Sequence, residues 1–136
     1  MTRQHSPRSL KNLQGVHPDL RRVFDRVLAM SDMDFVIIEG LRTVERQRAL
    51  LAAGASTTLK SRHITGHAVD VCPMVDVNGN GKVETSEMFN PRLLTRLSQT
   101  VKAAAQLEGV PIVWGGDWRS FRDLPHFELD RRKYPA

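Results

Sequence analysis

Two short segments carry the residues best suited to chemistry. They are Ser61-Arg62-His63-Ile64-Thr65-Gly66-His67-Ala68-Val69-Asp70 and Asp123-Leu124-Pro125-His126-Phe127-Glu128-Leu129. Imidazole nitrogen and carboxylate oxygen are ligands that a catalytic zinc takes from protein, three of them with a fourth position open to water. His63 and Asp70 bracket Gly66, which lets the backbone turn tightly. His126 can supply the third ligand. Asp70 lies between Val69 and Val71 in an alternating stretch, and burying it there requires a positive partner, either a metal or an arginine. Asp123 precedes His126 by three residues across a proline turn, where it can act as general base on a metal-bound water. Glu128 shares a strand face with His126 and can orient its ring. A plainer arrangement also fits, with one His hydrogen-bonded to one Asp, and spacing alone does not separate the two. His67 adds a second ambiguity. It lies four residues after His63, as in a helical metal pair, but Gly66 and the β-branched residues that follow oppose a helix. The Glu of a helical HExxH site is also missing.

The elements that must position these residues can be read from periodicity. Pro18 and Asp19 suit a helix start, and Leu20, Val23, Phe24, Val27 and Leu28 form one apolar face behind them. Residues 35–39 read as a buried strand. Thr43 caps a helix reaching about residue 53, with Glu45 in its first turn and Gly54 at its end. Residues 55–62 form a polar loop and 67–72 alternate as a strand. Asn90-Pro91 opens a helix with Leu94, Leu97, Val101, Ala104 and Ala105 on one face and Gly109 at its end. Residues 111–114 and 126–129 complete the strands. Helices kept apart from short strands predict an α+β fold, a small antiparallel sheet packed by about three helices. Residues 1–13 are polar and expected to be flexible.

The chain has 136 residues, which predicts one domain over 1–136. Its one cysteine, Cys72, excludes a disulfide framework and a cysteine-rich zinc site, and reads as a buried thiol. No apolar run approaches the roughly 18–20 residues of a membrane span. The N-terminus lacks the apolar stretch of a signal peptide. The net charge of +5 sits in the first half: residues 1–62 hold 11 basic and 6 acidic side chains, and residues 63–136 hold 9 of each. This bias suits an anionic partner surface. With aromatics at 6%, a stacking platform for nucleic acid is not expected.

At this point a family resemblance emerges. SRHITGHAVD resembles the SxHxxGxAxD signature of the zinc D-Ala-D-Ala dipeptidase and carboxypeptidase superfamily, and DLPHFEL resembles its second signature. GVHPDL, EGLRTVERQ and GGDW are similar to the L-alanyl-D-glutamate peptidase endolysins of tailed phages. The resemblance covers residues 14 to 130. It implies a hedgehog/D-Ala-D-Ala-peptidase-like fold, with His63, Asp70 and His126 as zinc ligands and Asp123 as general base and later proton donor. It also implies that Arg42 steadies the oxyanion, against the plainer reading of a salt bridge closing a strand end. Ser61 would brace the site. His67 falls at a variable position and is expected either behind the metal ligands or at the surface. Trp114 and Trp118 would line the substrate groove or pack in the core.

The implied activity is zinc-dependent cleavage of the L-Ala–D-Glu bond in the peptidoglycan stem peptide. The alternatives are a D,D-carboxypeptidase or dipeptidase acting on terminal D-Ala, and a non-catalytic zinc-bearing cell-wall module. The implied partners are the stem peptide and the anionic cell envelope, with no nucleic acid. The protein would act as a monomer, held in the host bacterial cytoplasm until holin-dependent release.

One segment stands outside this pattern. Residues 76–87 fit D-x-[DN]-x-[DN]-G-x5-E, the EF-hand calcium loop, with Asp76, Asn78, Asn80, Lys82 (through its carbonyl) and Glu87 at ligand positions. The incoming side is strand-like rather than helical, and a plain NGNG turn is the alternative. Calcium in this loop would order the chain next to Asp70.

Overall fold

The computed structural model describes residues 4–56 and 61–135. The helices are α1 (Pro7–Leu13), α2 (Pro18–Met30), α3 (Val44–Ala52), α4 (Thr85–Met88) and α5 (Pro91–Glu108). The strands are β1 (Phe35–Glu39), β2 (Ala68–Pro73), β3 (Ile112–Trp114) and β4 (His126–Leu129), with a 3-10 turn at Gly115–Asp117. The strands form one antiparallel sheet in the order β1-β2-β4-β3. The α+β class is as expected. Five helices stand where about three were expected, the additional ones being the short α1 and α4.

The sheet has one core face and one site face, and strand alternation assigns residues to each. Val69 and Val71 of β2 and Phe127 and Leu129 of β4 are buried in the core with Leu20, Val23, Phe24 and Val27 of α2 and Leu97, Val101 and Ala104 of α5. Phe24 meets Phe127 edge to face, with ring centroids 5.9 Å apart. Each such side chain contributes about 1.5–3 kcal/mol on burial. The intervening residues Ala68, Asp70, His126 and Glu128 therefore share the opposite face. Asp70 and His126 are direct cross-strand partners, as are Ala68 and Glu128.

In the segment expected to be flexible, Pro7–Leu13 form α1; residues 1–3 lie outside the described residues. Ser6 caps α1 by accepting from Ser9 N–H, and Pro7 occupies its first turn. α1 covers the exposed edge of β1. Ser9 Oγ accepts from Ile37 N–H at 2.9 Å, and Asn12 Nδ2 donates to Ile37 O at 2.8 Å. An edge strand satisfied in this way is closed to other chains. Of the polar loop expected at 55–62, residues 57–60 also lie outside the described residues.

Candidate metal centre and active site

His63 sits in the turns between Ser61 and Gly66 that lead into β2. Gly66 shapes that turn. Its φ is +74°, and a Cβ there would stand 2.4 Å from Gly15 O, so the position excludes a side chain on two counts. His63 Nδ1 faces Gly40 O at 2.9 Å. A carbonyl only accepts, so Nδ1 donates to it, and in the neutral ring Nε2 carries the lone pair. Nε2 is buried, with the residue 2% exposed, and makes no hydrogen bond. It faces Asp70 Oδ1 at 3.3 Å, and the same oxygen lies 3.2 Å from His126 Nδ1. The ligand atoms of His63, Asp70 and His126 all lie within 4.8 Å of one another.

These residues fit a metal ion. A buried lone pair aimed at a carboxylate oxygen is unfavourable unless a cation or a proton joins them. The set of two imidazoles and one carboxylate matches zinc in ligand type. His126 Nε2 donates to Glu128 Oε1 at 2.9 Å, the outer-shell carboxylate that orients a ligating imidazole. Burial disfavours the imidazolium of His126, but Asp70 and Glu128 outweigh it and raise the group to about 9. Burial likewise opposes ionisation of Asp70, and its contacts with His126 and His63 outweigh that and hold it well below the usual carboxylate range. A metal held at His126 Nδ1 would take the place of a proton there.

Asp123 is positioned by the turn before β4. Its N–H donates to Gly115 O at 3.1 Å, and its own carbonyl accepts from His126 N–H at 3.1 Å. The approach is so close that a Cβ on Gly115 would lie 2.3 Å from Asp123 O. Burial, then the charge of Asp70, pushes the Asp123 carboxyl up. Asp123, Asp70, His63 and His126 line one cavity of about 620 Å³, within the range of ligand sites.

Arg42 lines the same cavity and is held firmly. Its Nε and Nη2 donate to the two carboxylate oxygens of Glu39 at 2.7 and 2.8 Å. Nη1 donates to Gln47 Oε1 at 2.7 Å and reaches Ser61 Oγ at 3.4 Å. Asp70 Oδ2 lies 4.0 Å from Nη2. The strand-end salt bridge is thus present, and it fixes the guanidinium beside the candidate metal ligands. Ser61 also accepts from His63 N–H at 3.2 Å, which ties the two segments together.

Two site residues had no separate signal in the spacing. Glu39 reaches the cavity through a bulge. Plain alternation would give it the core face of Phe35 and Ile37, but a register shift between Ile37 and Glu39 sets it opposite Asp70. Arg62 is buried beside His63 and donates to Leu129 O and Tyr134 O at 3.0 and 2.7 Å, with Glu128 at 3.6 Å. Its place inside the first motif was the available clue.

The remaining residues divide. Trp118 lines the cavity, with its ring 5.1 Å from that of His126. Trp114 is core, stacked on Phe127 and donating Nε1–H to Leu124 O at 2.7 Å. His67 stays outside the triad, with its ring 5.4 Å from that of His17. Cys72 is a buried thiol pushed up to about 12 by burial and by the charge of Asp70.

The loop over 76–87 closes on itself. The carboxylate of Asp76 accepts from Asn80 and Gly81 N–H groups. Asn80 Oδ1 accepts from Lys82 N–H at 2.9 Å, and Asn80 N–H also reaches Asn78 Oδ1 at 3.2 Å. Glu87, buried, accepts from Val77, Asn78 and Glu84 N–H groups. The outgoing helix, α4, is four residues long.

The chain is similar in fold and sequence to known proteins. The crystal structure of the Serratia marcescens L-Ala D-Glu endopeptidase ChiX superposes with a TM-score of 0.86 at 41% identity, covering 99% of this chain and 96% of that one. The L-alanyl-D-glutamate peptidase of Escherichia phage T5 is 33% identical over 129 residues, which is 93% of this chain and 88% of the relative. The L-alanyl-D-glutamate peptidase of Listeria phage A118 is 29% identical over 137 residues, and there the chain spans 45% of the relative's length. A family profile described as phage L-alanyl-D-glutamate peptidase matches residues 1–135. A shared fold and a family match along nearly the whole chain together place it: it belongs to the phage L-alanyl-D-glutamate peptidase family.

Proposed function

We propose that this protein is a zinc-dependent endopeptidase that hydrolyses the L-Ala–D-Glu amide of the peptidoglycan stem peptide. The observation that carries the reading is the buried, unpartnered Nε2 of His63 facing Asp70 and His126 in a cavity that also holds Asp123. Family membership supplies the bond.

His63 Nε2, one oxygen of Asp70 and His126 Nδ1 would hold the metal. When bound, zinc supplies a Lewis acid that acidifies a water and polarises the scissile carbonyl. Asp123 takes the proton of the attacking water and returns it to the leaving nitrogen. A carboxyl raised by burial holds such a proton more readily than an exposed one. Glu128 and Gly40 O fix the two imidazoles, so the ligand atoms need no reorganisation. Arg42, clamped by Glu39 and Gln47, presents a preorganised positive charge to the developing oxyanion. The reading carries with it action as a monomer, synthesis in the host cytoplasm and holin-dependent release. The basic excess of the first half would favour the anionic envelope.

The test is mass spectrometry of fragments released from purified sacculi, with a chelated control. New L-Ala carboxyl and D-Glu amino ends, lost on chelation, are expected. Loss of terminal D-Ala alone would move the activity to a carboxypeptidase. Absence of any metal-dependent product would leave a wall-binding module.

A second reading concerns the loop over 76–87 as a calcium site. It is favoured by the complete twelve-residue pattern together with the buried Glu87 carboxylate turned back onto the start of the loop. Calorimetric titration of the zinc-loaded protein with calcium should give a saturable heat that Asp76→Ala removes, and a flat titration would reject the site.

A further inference from the structure

Four arginines line the cavity: Arg42, Arg62, Arg122 and Arg131. Three have their charge or donors engaged. Arg42 is clamped by Glu39 and Gln47, Arg62 is buried against two backbone carbonyls, and Arg131 reaches Glu128 at 3.4 Å. Arg122 differs. Its Nε donates to Trp118 O at 3.1 Å, and among the described residues its two Nη groups have no acceptor and no carboxylate partner. It is exposed and lies on the turn that carries Asp123, the next residue in the chain. Phe121, just before it, has a φ of 52°, the left-handed region that residues with side chains seldom adopt. Such outliers cluster where a loop must present particular groups.

Resting on the peptidase reading above, we infer that Arg122 binds the free α-carboxylate of the D-Glu residue on the leaving side of the bond. The stem peptide continues from D-Glu through its γ-carboxyl. The α-carboxylate is therefore left free on the carbon that bears the leaving nitrogen, two bonds from that nitrogen. Asp123 returns its proton to this same nitrogen, so the carboxylate must lie on the Asp123 side of the cavity. A guanidinium tethered through Nε and open at both Nη groups matches a carboxylate in shape and charge. The site would then distinguish stem peptides carrying D-Glu from those whose α-carboxylate is amidated.

The experiment measures kcat and KM of the zinc-loaded full chain on two synthetic peptides. One is an acyl-L-Ala-γ-D-Glu peptide and the other is the same peptide with the α-carboxylate amidated. The wild type should prefer the carboxylate by about tenfold in kcat/KM, the scale of one charge-assisted hydrogen-bonded pair in a partly open site. Arg122→Gln should bring the ratio close to one, chiefly through KM on the carboxylate peptide. Arg122→Lys, which keeps the charge without the fork, should retain an intermediate ratio. The inference is overturned if the wild type cuts both peptides equally, if Arg122→Gln keeps the preference, or if that variant slows both peptides by the same factor. A wild type that cuts neither peptide at this bond overturns the peptidase reading itself, and this inference with it.

Discussion

At His63 the two ring nitrogens meet opposite conditions. Nδ1 has a carbonyl to donate to, and Nε2 faces a carboxylate oxygen across a gap that a proton or a cation must fill. Around this atom the other residues take definite parts, and two substitutions separate them. Asp123→Asn keeps size and hydrogen bonding but removes the base. It should lower kcat by about 10²–10⁴ while bound zinc, measured by elemental analysis, stays stoichiometric. Glu128→Gln keeps the shape beside His126 and removes the charge that supports it. It should weaken zinc affinity by about tenfold, read by competition with a chromophoric chelator. Equal zinc affinity in this variant would make Glu128 a partner of Arg62 and Arg131 only. That residues 63, 70, 123 and 126 belong together was legible because a metal site of the proposed kind restricts its residue types tightly, and the fold does bring them to one cavity. Which nitrogen of each histidine faces the others was not legible, because that depends on Gly40 O and Glu128, which approach from elsewhere in the fold.

The elements were legible to the extent that one periodicity governed them. The apolar faces of α2 and α5 and the alternation of β2 and β4 follow from sequence spacing, and they bring Asp70 opposite His126. Two features escaped because a local rule was overridden. The bulge before Glu39 breaks the alternation and moves a carboxylate from the core face to the site face, where it clamps Arg42. α1 places Leu13 in the core and is held further by Ser9 and Asn12, which satisfy the edge of β1. The signal for α1 was the Ser6-Pro7 start rather than any periodicity. Ser9→Ala should therefore cost more than a surface serine. It leaves the amide of Ile37, a fully buried residue, without an acceptor, a loss of about 1–3 kcal/mol. Urea denaturation with an unchanged m-value would verify this, and amide exchange at Ile37 should accelerate. A change below about 0.5 kcal/mol, the range of ordinary surface substitutions, would mean that α1 does not protect the edge.

Across the whole molecule, the end of the chain is pinned at two places that the sequence separates widely. Tyr134 OH donates to Asp19 Oδ2 at 2.7 Å in the first turn of α2, and the Tyr134 carbonyl accepts from Arg62 beside the site. The basic excess of the first half is also partly answered from the second half, where Glu108 pairs with both Arg22 and Arg26. Such pairings join residues far apart in sequence, so composition by halves describes the chain better than it describes the surface. The Tyr134 contact has a pH signature. The hydrogen bond from Tyr134, ahead of opposing burial and the pairing with Arg22, holds Asp19 below its ordinary value. A carboxyl lowered by folding stabilises above its unfolded pKa, about 3.9, and loses that contribution as pH falls through the folded value. The same bond, then burial, raises the Tyr134 phenol, whose contribution is present below its unfolded pKa and is lost as pH rises through the folded one. Tyr134→Phe should thus cost about 1 kcal/mol or less across a plateau between these limits. The difference from wild type should shrink as pH falls below the carboxylate range and again as it rises into the phenol range. Paired thermal melts from about pH 2 to about pH 12 would verify this. No difference at any pH would mean that the ring's packing against His17, which the variant keeps, and not its hydroxyl, holds this segment.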